Sequence, residues 1–432
     1  MADFKKLEPD LAFVKGVMDA GGDTVNRCYQ CATCSIVCPL STPESPFPRK
    51  EMLWAQWGMA SKVSGDADVW LCHQCGDCSA YCPRDAKPGD VLGAIRANAI
   101  RYYAEPKALA DMMSTSRGMI GVGIASIVAV LIMGFIWSLI TGHSFPFPVT
   151  EDGKVEYHLF LSVIPIDILF LPLAGFVAFV SYKGVVNFWQ DISKGAGLGE
   201  SYTGTMPAPS LSALLKKYLV PAVKEILAHE RFKKCGQTAE RAKGHKWVLW
   251  GFVFLFITTS LGVIFADVLG NIFHAGFLHS PYAFWHPVKI FGTIGAVLLM
   301  GGIWMVRTMR EEKTKEGILQ SSEQDWNFIW LIFAVGASGI LSWAIRLTNI
   351  PYIAYPIYWI HLGTVATLFL ALPFTKFGHM LYRTTAYVFQ AWAADVRAGQ
   401  AGFGLEKPVV SPSETAEAGQ EEEAVETGTK TE

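Results

Sequence analysis

Eight of the nine cysteines lie in two short runs that share one spacing, C-x2-C-x2-C-x3-C-P. The runs read Cys28-Tyr-Gln-Cys31-Ala-Thr-Cys34-Ser-Ile-Val-Cys38-Pro39 and Cys72-His-Gln-Cys75-Gly-Asp-Cys78-Ser-Ala-Tyr-Cys82-Pro83. Two-residue gaps let three thiolates of one tight loop converge on three corners of an iron–sulfur cubane. The duplicated pattern therefore predicts two [4Fe–4S] clusters, whose chemistry is electron transfer.

The fourth cysteine of each run lies past the loop, before a proline that turns the chain away. Two-cluster bacterial ferredoxins have the same spacing, and in them the fourth cysteine ligates the other cluster. By this resemblance the ligand sets are Cys28, Cys31, Cys34 and Cys82 for one cluster, and Cys72, Cys75, Cys78 and Cys38 for the other. Structural zinc sites also use C-x2-C pairs, but a triplet followed by x3-C-P does not suit them. We expect Cys235 to be a thiol without a role.

Six apolar stretches are long enough to cross a bilayer, for which about 20 residues are needed. They cover residues 118–141, 159–182, 247–270, 287–306, 326–345 and 351–374. A single stretch could be the core helix of a soluble protein, but six in succession indicate a membrane protein. The predicted fold class is all-α, with an N-terminal α-helical ferredoxin module followed by a six-span transmembrane helical bundle.

Composition divides the chain into four parts. We predict a ferredoxin domain over residues 1–105, a linker over 106–117, a transmembrane domain over 118–397 and a disordered acidic tail over 398–432. Within the third part, the long loop 183–246 has helical apolar spacing from Ser210 to Ala228. This spacing predicts an amphipathic helix, kinked at Pro221, that lies on the membrane surface or docks a partner protein.

Lysine and arginine are distributed unevenly among the connections. The 183–246 connection carries eleven and the 307–315 connection four, whereas of the opposite connections 142–158 carries only Lys154 and 271–286 carries none. The positive-inside rule therefore predicts a multi-pass inner-membrane protein with both termini in the cytoplasm. The opening sequence MADFKKLEPD has no apolar segment, so we expect no cleaved export signal. The net charge of -2 says little about partners, and we expect no nucleic-acid partner.

Histidines at the ends of the spans have the spacing of haem ligands. His361 and His379 are 18 residues apart, which is five helical turns. On one continuous helix both rings would project from one face, about 27 Å apart along the axis, and each could bind one of two stacked b haems. We predict His245 as the partner of His379 at the inner haem. We predict His286 as the partner of His361 at the outer haem. The alternatives at the outer haem are His274, His279 and His158.

Two segments resemble known redox families. Asp68-Val-Trp-Leu-Cys72-His-Gln-Cys75, with the helical spacer before it, is similar to the α-helical ferredoxin module of heterodisulfide reductases. The segment from His361 to His379, with its Pro-Phe-Thr-Lys turn, resembles the last helix of nitrate reductase gamma subunits, a di-haem cytochrome b family that oxidises quinol. In that family the helix matching 247–270 supplies two histidines, whereas this stretch has none.

The order of the two modules resembles the membrane component of the quinone-interacting membrane-bound oxidoreductase of sulfate-reducing bacteria. This resemblance implies a component of a quinone-dependent oxidoreductase complex. It would connect menaquinol or another quinone, through b haems and the two clusters, to cytoplasmic flavin and iron–sulfur subunits and onward to adenylylsulfate reductase. The alternative is the electron-transfer component of a heterodisulfide reductase-like thiol/disulfide complex. Six spans alone would also allow a transporter or a passive anchor, but the spaced histidines argue against both.

Three ionisable residues lie near the outer ends of predicted spans, where such groups are usually functional. Arg346 and Lys289 are candidates to pair with a haem propionate, because a carboxylate and a cation bind well there. Asp167 is a candidate to take or release the proton that quinone chemistry requires. For all three residues the alternative is snorkelling of the charged end to the membrane surface.

Overall fold

The computed structural model of the protein describes residues 8–43, 45–196, 210–229, 231–232, 236, 240–270 and 282–397. Within these residues the chain is helical and has no strand, so the predicted all-α fold class is confirmed. The chain divides into two compact units, Met1–Tyr387 and Val388–Glu432. The predictions for His274, His279 and Cys235 lie outside the described residues.

The N-terminal part is built from short helices around one longer helix. They are α1 (Leu11–Val17), α2 (Thr33–Ile36), α3 (Arg49–Gln56), α4 (Ala60–Ser64), α5 (Ala67–Leu71), α6 (Asp77–Ala80), α7 (Pro88–Tyr103) and α8 (Lys107–Met113). Apolar residues of α7 recur three or four positions apart and are buried, namely Val91, Leu92, Ile95, Ala99 and Ile100. This spacing gives α7 one apolar side, against which the smaller helices pack.

Six of the described helices are long and apolar enough to cross a membrane, as the sequence predicts. In chain order the later helices are α9 (Ser116–Thr141), α10 (Tyr157–Phe160), α11 (Val163–Gly195), α12 (Leu211–Ala213), α13 (Val220–Ala228), α14 (Arg241–Gly262), α15 (Pro287–Lys315), α16 (Glu323–Arg346), α17 (Pro351–Phe374) and α18 (His379–Arg397). The six candidate spans are α9, α11, α14 with its π-helical continuation Val263–Gly270, α15, α16 and α17. Helices α11 and α15 continue well past residues 182 and 306, where the predicted apolar stretches end. Their helical hydrogen bonding continues through the polar residues that follow.

Helices α14 and α15 approach closely because glycines face the contact from both sides. A Cβ atom at Gly251 would lie 2.7 Å from the backbone nitrogen of Leu299. A Cβ atom at Gly302 would lie 2.6 Å from the backbone nitrogen of Val248. On each helix another glycine lies two turns earlier, Gly244 before Gly251 and Gly295 before Gly302. These four glycines line the contact. Small residues at such positions are the usual means by which membrane helices pack backbone to backbone.

The amphipathic helix predicted from Ser210 to Ala228 is present, but its centre is wider than an α-helix. Helix α12 continues through a π-helical segment, Leu214–Leu219, into α13. The wide turn precedes Pro221, where a regular helix would lose a hydrogen bond. Tyr218 and Ala222 are buried, so one side of this helix packs against the protein.

The last span does not continue to His379. Helix α17 ends at Phe374, Thr375 is extended (φ -125°, ψ -175°), and a 3-10 turn over Lys376–Gly378 leads into α18. His379 is therefore the first residue of a new helix. The prediction that His361 and His379 project from one face of a single helix is wrong.

The break is stabilised by the side chain of Thr375. Its hydroxyl donates to the carbonyl oxygen of Ala371 (2.7 Å) and accepts from the backbone N–H of Phe377 (3.4 Å). Threonine side chains compete in this way with helical hydrogen bonds. The chain can therefore change direction between two helices without leaving these backbone groups unpaired.

Candidate iron–sulfur and haem sites

The two cysteine loops have the same backbone geometry. The residues on either side of the second cysteine have positive φ angles, which are 67° at Gln30 and 67° at Ala32 in the first loop, and 54° at Gln74 and 88° at Gly76 in the second. Left-handed residues that alternate with residues of ordinary conformation turn successive backbone N–H groups into a concavity that binds anions. Each loop is therefore shaped to hold a negatively charged group among its cysteines.

One cavity is lined by cysteines of both runs. Cys28, Cys31 and Cys34 come from the first run, and Cys82 comes from the end of the second. These are the four residues that the spacing predicts as ligands of one cluster. Arg49 and Arg84 line the same cavity and place positive charge beside the thiols.

The other four cysteines also lie together. Cys38 interacts electrostatically with Cys72 and Cys75, and all three act on Cys78. Contacts between α2 and α6 hold the two runs side by side. Each run therefore sends its fourth cysteine towards the triplet of the other run.

The state of these thiols fits a cluster-binding role. All eight cysteines of the two runs are free of disulfides. Burial, with a smaller effect from neighbouring thiols, raises the pKa of Cys34 to about 11 and that of Cys38 to about 12. Without a metal these thiols stay protonated, and binding of iron would displace the protons. Two groups of four converging sulfurs fit two cubane clusters.

His245 and His379 come from different helices and face each other. Their ring centroids are 6.3 Å apart, with an angle of 72° between the ring planes. A metal bound by both imidazoles at about 2 Å would set the centroids about 6 Å apart. The Nδ1 atom of His379 lies 2.6 Å from the carbonyl oxygen of Lys376, so Nδ1 carries the hydrogen and Nε2 keeps its lone pair. Burial, together with the nearby Arg383, lowers the pKa of His379 to about 3 and keeps the ring neutral.

A third histidine, His229, fixes the tautomer of His245. The Nδ1 atom of His229 lies 3.2 Å from the carbonyl oxygen of Leu227 and therefore donates to it. The Nε2 atom of His229 then has a lone pair and accepts from Nδ1 of His245 at 2.8 Å. This leaves the Nε2 lone pair of His245 for a metal. Sequence reasoning missed His229, because it lies in a loop and only the fold brings it beside α14.

The histidine pair is connected to the second cysteine loop. Arg383 lies one turn after His379 on α18, and its guanidinium donates to the carbonyl oxygen of Cys72 (2.6 Å). Arg241, at the start of α14, donates to the carbonyl oxygen of His73 in the same loop. Both helices that carry the paired histidines are thus hydrogen-bonded to the loop of the second cluster. Neither arginine was predicted from the sequence, since no local pattern marks a contact of this range.

The structure does not bring His361 and His286 together. His361 projects from α17 towards α16, where its Nδ1 lies 3.2 Å from the hydroxyl of Ser338 and its ring covers Gly339. His286 caps α15, because its Nδ1 accepts from the backbone N–H of Val288 (3.3 Å). The ring of His286 stacks on Tyr282, at a centroid distance of 4.5 Å. His158, an alternative partner, interacts with Glu156.

Two of the predicted charged residues lie near one another. Lys289 on α15 and Arg346 at the end of α16 are close enough to interact electrostatically, and Nζ of Lys289 lies 5.4 Å from the ring centre of Trp343. Among the described residues, Arg346 is the charged group that acts on Lys289, and no carboxylate does so. A pair of cations without a carboxylate suits an anionic group such as a propionate. Asp167 lies on α11 and is half-buried.

A group of carboxylates in the N-terminal part has the spacing of a cation site. Glu51, Asp66 and Asp68 bring their oxygens together. The ammonium group of Lys50 lies 2.7 Å from Asp68, 2.8 Å from Asp66 and 3.2 Å from Glu51. This side chain already supplies the positive charge, so the group ties α3 to the segment leading into α5.

The sequence matches two known families. Residues 24–86 match a family described as 4Fe-4S dicluster domain, and residues 159–402 match one described as Citrate utilization protein B. A protein of Escherichia coli described as citrate utilization protein B is 29% identical over 230 residues, 51% of this chain and 53% of that protein. The chain spans about half the length of this curated relative. No solved structure matches the chain. The prediction of an iron–sulfur module followed by apolar spans is confirmed, while the assignment to a quinone-interacting oxidoreductase stays a prediction. Since the second match covers more than half of the sequence, the chain belongs to the Citrate utilization protein B family and carries a 4Fe-4S dicluster domain before it.

Proposed function

We propose that this protein passes electrons between a membrane quinone and cytoplasmic redox subunits, through b haems and two [4Fe–4S] clusters. The dicluster domain and the six apolar helices support a membrane-bound iron–sulfur electron carrier. The observation that carries the finer proposal is the pair of His245 and His379, hydrogen-bonded through its helices to the second cysteine loop. A row of adjacent sites is the arrangement that electron transfer through a protein requires.

In this proposal His245 and His379 hold the inner haem, and His229 orients His245. A haem held by two histidines supplies a one-electron centre, while the protein supplies its ligands, hydrogen bonds and surroundings. The first run with Cys82, and the second run with Cys38, hold the two clusters. Backbone N–H groups of the two loops help to neutralise the charge of the clusters.

His361 is the proposed ligand of a second haem, nearer the outer surface of the membrane. His286 stays the proposed partner, although it caps its own helix in the structure, so binding would require its ring to turn. Lys289 and Arg346 are proposed to pair with a propionate. Asp167 is proposed to take up or release the quinone proton.

Three kinds of partner are proposed. The resemblance to the sulfate-reducer complex suggests flavin and iron–sulfur subunits that lead to adenylylsulfate reductase. The family match, whose description is Citrate utilization protein B, instead suggests a partner in citrate utilisation. A thiol/disulfide complex is the third candidate. Identification of the proteins that co-purify with the chain would show which of these partners it has.

The experiment is a spectroscopic titration of the full-length protein in detergent. The dithionite-reduced protein is expected to show b-type haem bands and the EPR signals of reduced [4Fe–4S] clusters. A menaquinol analogue should reduce the haems and then the clusters. His379→Ala should remove the inner haem and slow cluster reduction, whereas His143→Ala, which changes an exposed residue, should retain wild-type behaviour.

Three different results would each contradict a different part of the proposal. If no b-type bands appear in the purified protein, the histidine pair has another role and the protein is an iron–sulfur membrane protein only. If His379→Ala retains the full haem content, the ligand assignment is wrong. If cluster signals are absent from protein assembled with iron and sulfide, the electron-transfer proposal itself fails.

A further inference from the structure

We propose that the first cysteine loop forms the docking surface for an acidic soluble redox protein, so that electrons enter or leave this chain at the first cluster. This inference rests on the proposed electron-transfer function and deepens it. The first-loop surface is defined by Tyr29, Ile36, Tyr81, Arg49 and Arg84. The occupant is a protein whose docking face carries Asp and Glu side chains.

The two loops are equivalent in backbone but opposite in surroundings. Tyr29 follows the first cysteine of its run and is 59% exposed. His73 occupies the same place in the second run and is 4% exposed, with its ring facing Phe232. The carbonyl oxygen of Cys72 accepts from Arg383, so the second loop is covered by the helices that carry the histidine pair.

The thiols show the same asymmetry. In the first group Cys31 is exposed and Cys34 is buried, whereas in the second group Cys72 and Cys78 are both buried and no cysteine is exposed. The first cluster would therefore lie nearer the surface, and the second cluster would lie between it and the histidine pair. Within the described part of the chain, the first loop is therefore the more accessible of the two to an incoming protein.

Apolar side chains are exposed around the first loop. Ile36 is 83% exposed and follows Cys34 by two residues, and Tyr81 is 58% exposed and precedes Cys82. With Tyr29, they place three large apolar groups next to the cysteines of one cluster. Exposed apolar groups grouped at one site mark an interaction surface, and aromatic residues are enriched in such interfaces.

The charge of this surface selects the partner. Arg49 and Arg84 line the cavity of the first four cysteines, and the guanidinium of Arg84 lies 5.9 Å from the ring centre of Tyr29. Arg27 is also exposed and pairs with Asp85 at 3.3 Å. Cations therefore outnumber carboxylates among these described residues. An acidic partner would be steered to this surface, and its association would weaken with salt.

The arginines have a competing role, since positive charge beside a cluster also raises its reduction potential. The two roles predict different results. A charge that only tunes the cluster affects every electron donor through the potential. A charge that docks a protein affects an acidic protein donor much more than a small cationic donor.

The experiment compares two electron donors with full-length protein in detergent. The oxidised protein is mixed in a stopped-flow instrument with reduced plant-type [2Fe–2S] ferredoxin, an acidic protein, or with reduced methyl viologen, a small cation. In each case one electron passes from the donor to a cluster. For ferredoxin, Arg84→Glu is expected to lower the second-order rate constant about tenfold at low salt, and the difference should vanish near 1 M salt. Reduction by viologen should not fall.

Two further variants keep the test decisive. Arg84→Gln removes the charge without reversing it and should give a smaller decrease, which guards against misfolding of the Glu variant. Lys62→Glu reverses an exposed charge that does not line the cavity of the first four cysteines. This variant should leave the rates of reduction by ferredoxin and by viologen unchanged. EPR of each reduced variant establishes that both clusters are present.

The outcomes separate this inference from the proposed function. If ferredoxin reduces Arg84→Glu as fast as the wild type, or if the wild-type rate does not depend on salt, the docking surface is refuted while the electron carrier stands. If viologen reduction falls as much as ferredoxin reduction, the arginine acts through the cluster and docking is again refuted. If the wild type has no reducible clusters, the proposed function fails.

Discussion

At the residue scale, the chemistry of His245 is set by its neighbours. A buried imidazole can carry its hydrogen on either nitrogen, and only the nitrogen without it can bind iron. The carbonyl oxygen of Leu227 fixes His229, and His229 in turn fixes His245. The chain of two hydrogen bonds selects the tautomer of His245 in which Nε2 keeps its lone pair, as the proposed haem ligation requires.

Loss of His229 is expected to weaken the proposed inner haem site. His229→Leu removes the acceptor for Nδ1 of His245, and loss of such a supporting hydrogen bond costs about 10–100-fold in metal affinity. His229→Gln offers an amide oxygen and should restore most of the affinity. The measurements are haem content after purification and the midpoint potential from a redox titration. Equal haem content and potential in the Leu variant and the wild type would contradict this role.

At the element scale, the contact between α14 and α15 depends on glycine. Gly251→Ala would place a methyl group 2.7 Å from the backbone of Leu299, and backbone cannot move aside as a flexible side chain can. We expect a loss of about 1–3 kcal/mol in stability, typical of an overpacked core. The measurement is the thermal unfolding midpoint in detergent.

The matched control is on the same helix. Gly262 has no atom near its potential Cβ, so Gly262→Ala should be neutral or slightly stabilising. The packing argument is wrong if both alanine variants unfold at the same temperature.

A second element-scale prediction concerns Asp90, which joins α7 to the loop before α16. Its carboxylate accepts from the backbone N–H of Gln320 (3.0 Å), and burial raises its pKa to about 6. Because the folded pKa exceeds the unfolded value of about 4, the related stability is fully present below pH 4 and is lost as the pH rises through 6. The shift corresponds to at most about 3 kcal/mol.

Asp90→Asn should therefore be more stable than the wild type at pH 7.5, and this advantage should shrink as the pH falls to about 4.5. Asparagine keeps an acceptor for Gln320 but cannot ionise. Thermal unfolding of both proteins over this pH range gives the comparison. A difference that does not change with pH would show that Asp90 does not titrate here.

The elements also show what local sequence can predict. Apolar runs of about 20 residues predicted all six long apolar helices, because that pattern is itself what the helices are made of. The cysteine runs, through their resemblance to two-cluster ferredoxins, predicted the two groups of thiols that lie together in the structure. The ends of α11 and α15 were missed, since a helix needs no apolar side chains to continue. The break at Thr375 was missed because one hydroxyl, rather than a pattern, ends the helix. His229, Arg241 and Arg383 act across the fold, where sequence spacing gives no signal.

At the scale of the whole molecule, the orientation in the membrane can be tested by labelling. The positive-inside rule predicts that the loop containing Asp152 faces outward and the loop after Lys315 faces the cytoplasm. A membrane-impermeant maleimide should label Asp152→Cys in intact cells and Lys315→Cys only after permeabilisation. The unmodified protein reports labelling of its own cysteines. The reverse pattern would turn the clusters to the outside and refute the proposed cytoplasmic partners.

The crosswise arrangement of the cysteine runs has a consequence for synthesis of the protein. Cys82 lines the same cavity as the first three cysteines of the first run. The first run therefore cannot complete its ligand set while the ribosome is still making the segment between the runs. Both clusters would thus be closed late, and nearly together, once residue 82 has emerged. The first span begins only at Ser116, so cofactor insertion and delivery to the membrane would overlap in time. A chain stalled between the runs would hold incomplete thiol sets, open to oxidation, which makes iron–sulfur assembly a checkpoint in biogenesis.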